Sequence, residues 1–171
     1  MFRLKLILKR IDAATIALVF PLWYRLVFLG IGAILLASMI AVGEFAAAPF
    51  IFILLAVLSA GYTEAWYFSK ENGITHSFGI YPLLKTNRVA LTQVDRLELE
   101  RFTRGRMTAP EKAEDERKKR LFETDYTTLR LVGLSGETTN IDTVKSNQHD
   151  ELIRAAEQIA ALLDKPLLRK D

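Results

Sequence analysis

Residues 26–43 read LVFLGIGAILLASMIAVG, without one ionisable side chain. As a helix at about 1.5 Å per residue this run reaches about 27 Å. A bilayer's hydrocarbon core is about 30 Å thick, so a few flanking apolar residues complete a span. Residues 45–63 are also free of charge. Pro49 suits the first turn of a second helix. The run from Phe50 to about Tyr62 continues with few polar residues to Trp66. In lipid every backbone group needs an internal partner, which makes both runs helical. A buried hairpin in a soluble protein would need more chain to cover it than 171 residues supply.

Outward from these runs the charge divides sharply. Residues 1–63 hold five basic residues (Arg3, Lys5, Lys9, Arg10, Arg25) and two acidic ones (Asp12, Glu44). Residues 64–171 hold 18 of each sign and are neutral. The net charge of +3 therefore sits around the first apolar run, where a topology signal belongs, and not on the polar domain. This argues against nucleic acid as a partner. With no cysteine, thiolate catalysis, disulfides and cysteine metal sites are excluded.

Trp23, Tyr24 and Arg25 precede the first run, and Tyr62, Trp66 and Tyr67 close the second. In a hairpin both clusters lie on one side, as an interfacial aromatic belt does. Arg3, Lys5, Lys9 and Arg10 share that side, and the connection Glu44–Ala48 has no lysine or arginine. The expected topology is a multi-pass inner-membrane protein with both termini cytoplasmic. Arg3, Lys5, Lys9, Arg10, Trp23, Tyr24, Arg25, Trp66 and Tyr67 are its expected membrane-surface anchors. Ala33, Ala37 and Ala41, with Ala56 and Ala60, form small-residue rows at four-residue spacing. Such rows pack the hairpin or join two copies into a homo-oligomer.

Leu4, Ile7, Leu8, Ile11 and Leu18 fall near one helical face among the N-terminal basic residues, and Pro21 ends the pattern. The spacing predicts an amphipathic helix over residues 1–21, lying on the cytoplasmic leaflet. A cleaved signal peptide is the competing reading, without a convincing cleavage site.

From Thr63 the texture turns to β. Asn72-Gly73 is a hairpin signal. Ile74, His76, Phe78 and Ile80 alternate with Thr75, Ser77 and Gly79. Pro82 and Thr86-Asn87 break the pattern, and Val89–Leu91 reads as a short strand. Arg96–Phe102 alternates, with Glu98 and Glu100 facing solvent. Phe122–Leu134 and Thr138–Val144 are further strands. Six or seven short antiparallel strands result. A closing helix follows, capped by Ser146 or Asn147. Leu152, Ala156, Ile159 and Leu163 are its apolar stripe, and Pro166 stops it.

The order of elements, the stretches WYFSKENGITHSFG, NRVALTQVDRLEL and ELIRAAEQIAALLDKPLL, and the preceding hairpin resemble bacterial membrane proteins with a pleckstrin-homology-like (PH-like) domain. The resemblance covers residues 22–168 and includes no catalytic motif. It implies an α+β membrane protein with two transmembrane α-helices, then a PH-like antiparallel β-barrel or sandwich capped by a C-terminal α-helix. The domains expected are a surface helix (1–21), a transmembrane hairpin (22–67) and a cytoplasmic PH-like domain (68–171).

His76 and His149 lack partners at metal-ligand or catalytic spacing. No serine sits in a nucleophile motif, so neither cofactor nor catalysis is expected. Residues 104–120 hold seven basic and four acidic residues, densest at Arg117, Lys118, Lys119 and Arg120. This is a solvated loop, or a contact for anionic head groups or a partner. The expected function is a non-enzymatic interaction or scaffold protein, partnered by the bilayer and by a membrane-associated protein. An anionic-lipid sensor and an enzyme without a recognisable motif are the alternatives.

Overall fold

The computed structural model describes residues 6–43, 47–104 and 124–170. In chain order the elements are β1 (Ile7–Arg10), β2 (Thr15–Val19), α1 (Leu22–Val42), α2 (Ala47–Gly61), β3 (Tyr62–Ser69), β4 (Gly73–Ile80) and β5 (Leu83–Val89). After them come β6 (Val94–Arg104), β7 (Thr124–Gly133), β8 (Thr138–Lys145), α3 (His149–Leu163) and β9 (Leu167–Lys170). One sheet runs β1-β2-β3-β4-β5 and is antiparallel throughout. The other runs β8-β7-β6-β9, with β9 parallel to β6. The fold is mixed α+β, and the sheets do not close into a barrel.

The two sheets and α3 enclose one core. Alternation sends Leu97 and Leu99 of β6 inward, against Leu131 and Leu129 of β7. Trp66 and Phe68 come from β3 and Ile74 from β4. Leu152, Ala156, Ile159 and Leu163 of α3 cover the remaining side. The helix ends at Asp164 in the left-handed conformation, its N–H bonded to the Ala160 carbonyl. Pro166 then turns the chain into β9, and its carbonyl accepts the Leu97 N–H at 3.0 Å.

The N-terminal segment differs most from the sequence expectation. In place of a surface helix, residues 7–19 form a β-hairpin that extends the first sheet. Asp12 makes its turn, Oδ1 accepting the Ala14 N–H at 2.7 Å. β2 then pairs with β3 from Thr15↔Ser69 to Val19↔Ala65. The physical reason is burial: Leu6, Ile16 and Leu18 enter the shared core. A helix would leave β3 with an unpaired edge. The helices α1 and α2 are therefore inserted between two neighbouring strands of one sheet. The boundary expected at residue 67 falls inside β3.

Two smaller expectations also change. Thr86 and Asn87 lie within β5, which pairs with β4 along its length, and Leu91–Gln93 is a 3₁₀ turn. Ser146–Gln148 is likewise a 3₁₀ turn and supplies no side-chain cap to α3. His149 instead holds the helix start to β7, through Thr127 Oγ1 and Nδ1 at 2.7 Å.

Candidate functional surface

The helices α1 and α2 pack through small residues. Gly32 of α1 faces Ala56 of α2, and a Cβ at Gly32 would stand 3.6 Å from that of Ala56. The helices run antiparallel: Phe20, two residues before α1, contacts Tyr62, one residue after α2, at 5.6 Å between ring centroids. Gly32 and Met39 are the buried residues of α1, and Ala56 and Ala60 those of α2. Large apolar side chains point outward, Ile34 being 71% exposed. Among the described residues, only α1 is long and apolar enough to cross a membrane by itself. At about 1.5 Å per residue α1 measures about 32 Å and α2 about 22 Å.

Aromatic residues gather where the helices meet the sheet. Tyr24 lies between Phe20 at 4.8 Å and Phe28 at 4.6 Å, and Trp23 is exposed beside them. Arg25 follows in the first turns of α1. The other expected anchors are placed elsewhere. Trp66 is 2% exposed and belongs to the core, because alternation along β3 turns it inward. Tyr67 lies on the opposite face, about 20 Å along the strand from Gly61. Lys9 and Arg10 sit on β1. Arg10 is at the turn remote from α1, with Nε donating to the Asp12 carbonyl. Arg3, Lys5 and the four basic residues Arg117, Lys118, Lys119 and Arg120 lie outside the described residues.

Beyond this junction, β3 and β4 carry a polar cluster that the sequence did not announce. Trp66 stacks on His76 at 3.9 Å, and His76 on Phe78 at 4.9 Å. His76 Nε2 lies 3.3 Å from Glu64 Oε1, and the Tyr62 hydroxyl donates to Glu64 Oε2 at 3.4 Å. Burial lowers the His76 pKa, and Glu64 offsets part of that. Trp66 Nε1 is buried without a hydrogen-bond partner among the described residues. The cluster is knitted by cross-strand register, Glu64↔Phe78 and Trp66↔His76, which linear spacing hides.

Glu98 is a second surprise. Alternation predicted an exposed acid, but it is 3% exposed. Lys170 of β9 bonds its Oε2 at 2.8 Å, and Arg96 bonds its Oε1 at 2.7 Å. These bonds, led by that from Lys170, hold its carboxyl below the usual glutamate range. Glu100 beside it pairs with Arg130. Glu98, locked to cations in this way, stabilises the sheet, and a general acid would need the opposite shift.

A shallow groove between β1 and α3 is lined by Leu6, Leu8, Leu18, Leu152 and Asp142. Asp142 accepts from the N–H of Leu6 and of Thr143. Among the described residues, no group of three or more His, Asp or Glu could hold a metal. Of the small-residue rows, Ala56 and Ala60 are used within the helix pair, whereas Ala33, Ala37 and Ala41 face outward.

The chain matches no protein-family model and no curated protein.

Proposed function

We propose that this chain is a non-enzymatic, membrane-anchored interaction or scaffold protein. In this reading α1 and α2 form a two-helix transmembrane hairpin that holds a PH-like domain at the cytoplasmic face of an inner membrane. The observation that carries it is the apolar outer surface of the helix pair. Gly32, Ala56 and Ala60, with Met39, lie inside and most large apolar side chains outside, directly against a domain with an ordinary apolar core. Helices that meet lipid pack in this way, because lipid accepts large apolar groups and only small ones let backbones approach.

The junctions support a scaffold. α2 ends at Gly61 and β3 starts at Tyr62, while only Phe20 and Pro21 separate β2 from α1. Two short connections hold the domain at a fixed attitude to the helix pair. Pairing of β2 with β3 also supports a common side for residues 6–19 and 62–170. The lack of Lys and Arg in residues 44–48 favours the cytoplasm for that side. The β3–β5 and β6–β8 meanders, closed by α3, support the PH-like reading, with the β1–β2 hairpin and β9 as additions.

The test is purification of the tagged full-length protein from its native membrane in mild detergent, with mass spectrometry of what accompanies it. A reproducible, near-stoichiometric protein partner is expected. Anionic lipid retained with no protein partner would overturn the scaffold reading in favour of lipid sensing through the basic segment.

A further inference from the structure

The contact of Gly32 with Ala56 sets the relative height of the two helix ends. Ten residues separate Gly32 from Leu22, at the start of α1, but five separate Ala56 from Gly61, at the end of α2. At about 1.5 Å per residue α1 reaches about 7 Å further toward the domain. Over that height α1 exposes Leu22, Trp23 and Leu26, with the half-buried Arg25 among them. Beneath α2 the same level is filled by the turn between β4 and β5.

That turn carries the wrong chemistry for water. Ile80-Tyr81-Pro82-Leu83-Leu84 replaces the Gly, Asn, Asp and Ser expected at an exposed hairpin tip. Tyr81 is 75% and Leu83 83% exposed, with Ile80 and Leu84 also exposed. The tip is tied to the helix end. The Tyr81 N–H bonds the Gly61 carbonyl at 2.9 Å, and a Cβ on Gly61 would stand 3.1 Å from Ile80 Cγ2. Gly79 lets the two strands close tightly here. Its φ is +143°, and a Cβ would collide with the Leu83 carbonyl. Lys85 and Arg88 are exposed further along β5. Lys85 lies about 7 Å beyond Leu83 along the strand.

We propose that the β4–β5 tip, Ile80–Leu84, is a second membrane anchor, seated in the interface beside α2 with Lys85 among anionic head groups. Its occupant is the lipid bilayer, because the tip continues the outer apolar surface of the helix pair. The proposal rests on the reading of α1 and α2 as a membrane hairpin.

The chain has no cysteine, so single labels can be placed without background. Leu83→Cys, Ile34→Cys and Ser135→Cys are each made in the full-length protein and spin-labelled. They are reconstituted in phosphatidylethanolamine–phosphatidylglycerol vesicles, and collision with oxygen and with a water-soluble nickel chelate is measured. Ile34 reports the centre of α1, and Ser135 an exposed turn between β7 and β8. The expected oxygen-to-nickel collision ratio at Leu83 is several-fold above that at Ser135 and below that at Ile34. A Leu83 label as open to nickel as Ser135, with Ile34 deep, overturns the anchor and leaves the hairpin reading standing. A Leu83 label shielded from both reagents means that protein covers the tip, and also overturns it. An Ile34 label open to nickel overturns the hairpin reading together with the anchor.

Discussion

The helices α1 and α3 are both rich in apolar residues, and they expose opposite kinds. α3 turns Leu152, Ile159 and Leu163 inward and keeps Arg154 and Glu157 outside. α1 buries Gly32 and Met39 and leaves Leu29, Ile31, Ile34 and Ile40 exposed. The first pattern is that of a helix between a core and water. The second suits a helix that meets lipid, since in water its largest apolar groups gain nothing by facing out. What a helix exposes thus says more about its surroundings than its hydrophobicity does.

The sharpest way to break this contrast is one acid in each helix. Ile159→Asp places an uncompensated charge in the core, costing several kcal/mol. Whole domains are stable by about 5–15 kcal/mol. Loss of folding is expected, read as collapse of the thermal transition in detergent. Ile34→Asp should leave the domain folded and instead weaken integration by about 3 kcal/mol, read as release into the supernatant on alkaline carbonate extraction. Equal behaviour of the two variants would erase the distinction.

Deletions should follow the same division with smaller effects. Phe68 is fully buried between the sheets, and Phe68→Ala should cost about 3–5 kcal/mol of stability. Ile34→Ala should leave the domain's melting temperature in detergent nearly unchanged. Inside the helix pair, Gly32→Leu should cost about 1–3 kcal/mol by overpacking against Ala56. Gly32→Ala, which meets Ala56 at ordinary contact distance, should be tolerated.

Acid should act on the sheets and spare the helix pair. The folded protein holds the Glu98 carboxyl below the ordinary value of 4.5, so the unfolded chain takes up its proton more readily. Its contribution is complete above 4.5 and is lost as pH falls through the lower folded value. Glu98→Gln should flatten that acid limb in a series of melting curves. The smallest effect is expected from Arg169→Ala. Its exposed pair with Glu157 should change stability by no more than about 0.5 kcal/mol in the same assay.

Periodicity made much of this legible: the apolar runs of α1 and α2, the strands β4, β6, β7 and β8, and the stripe of α3. It failed where partners far apart in sequence decide the outcome. Ile7, Leu8, Ile11 and Leu18 fit a helical face and a hairpin about equally well. The choice was made by β3, whose edge takes up Thr15–Val19 from across two helices. Trp66 looked like a belt residue because it follows an apolar run, but strand geometry turned it into the core. Glu98 looked solvated because its cation, Lys170, comes from the far end of the chain. At the candidate surface, the exposed apolar helix faces could be read in advance. The polar cluster around His76 could not, since it exists only in the register of β3 with β4.

The insertion of α1 and α2 between two paired strands has a consequence for synthesis. β2 leaves the ribosome before both helices, and its partner β3 only after them. The first sheet can therefore close only once the chain has gone out along α1 and come back along α2. The core waits longer, for Leu152–Leu163 near the end of the chain. The edge of β2 that takes β3 must stay unpaired through that interval, so completion of the helix pair acts as a checkpoint on the assembly of the domain.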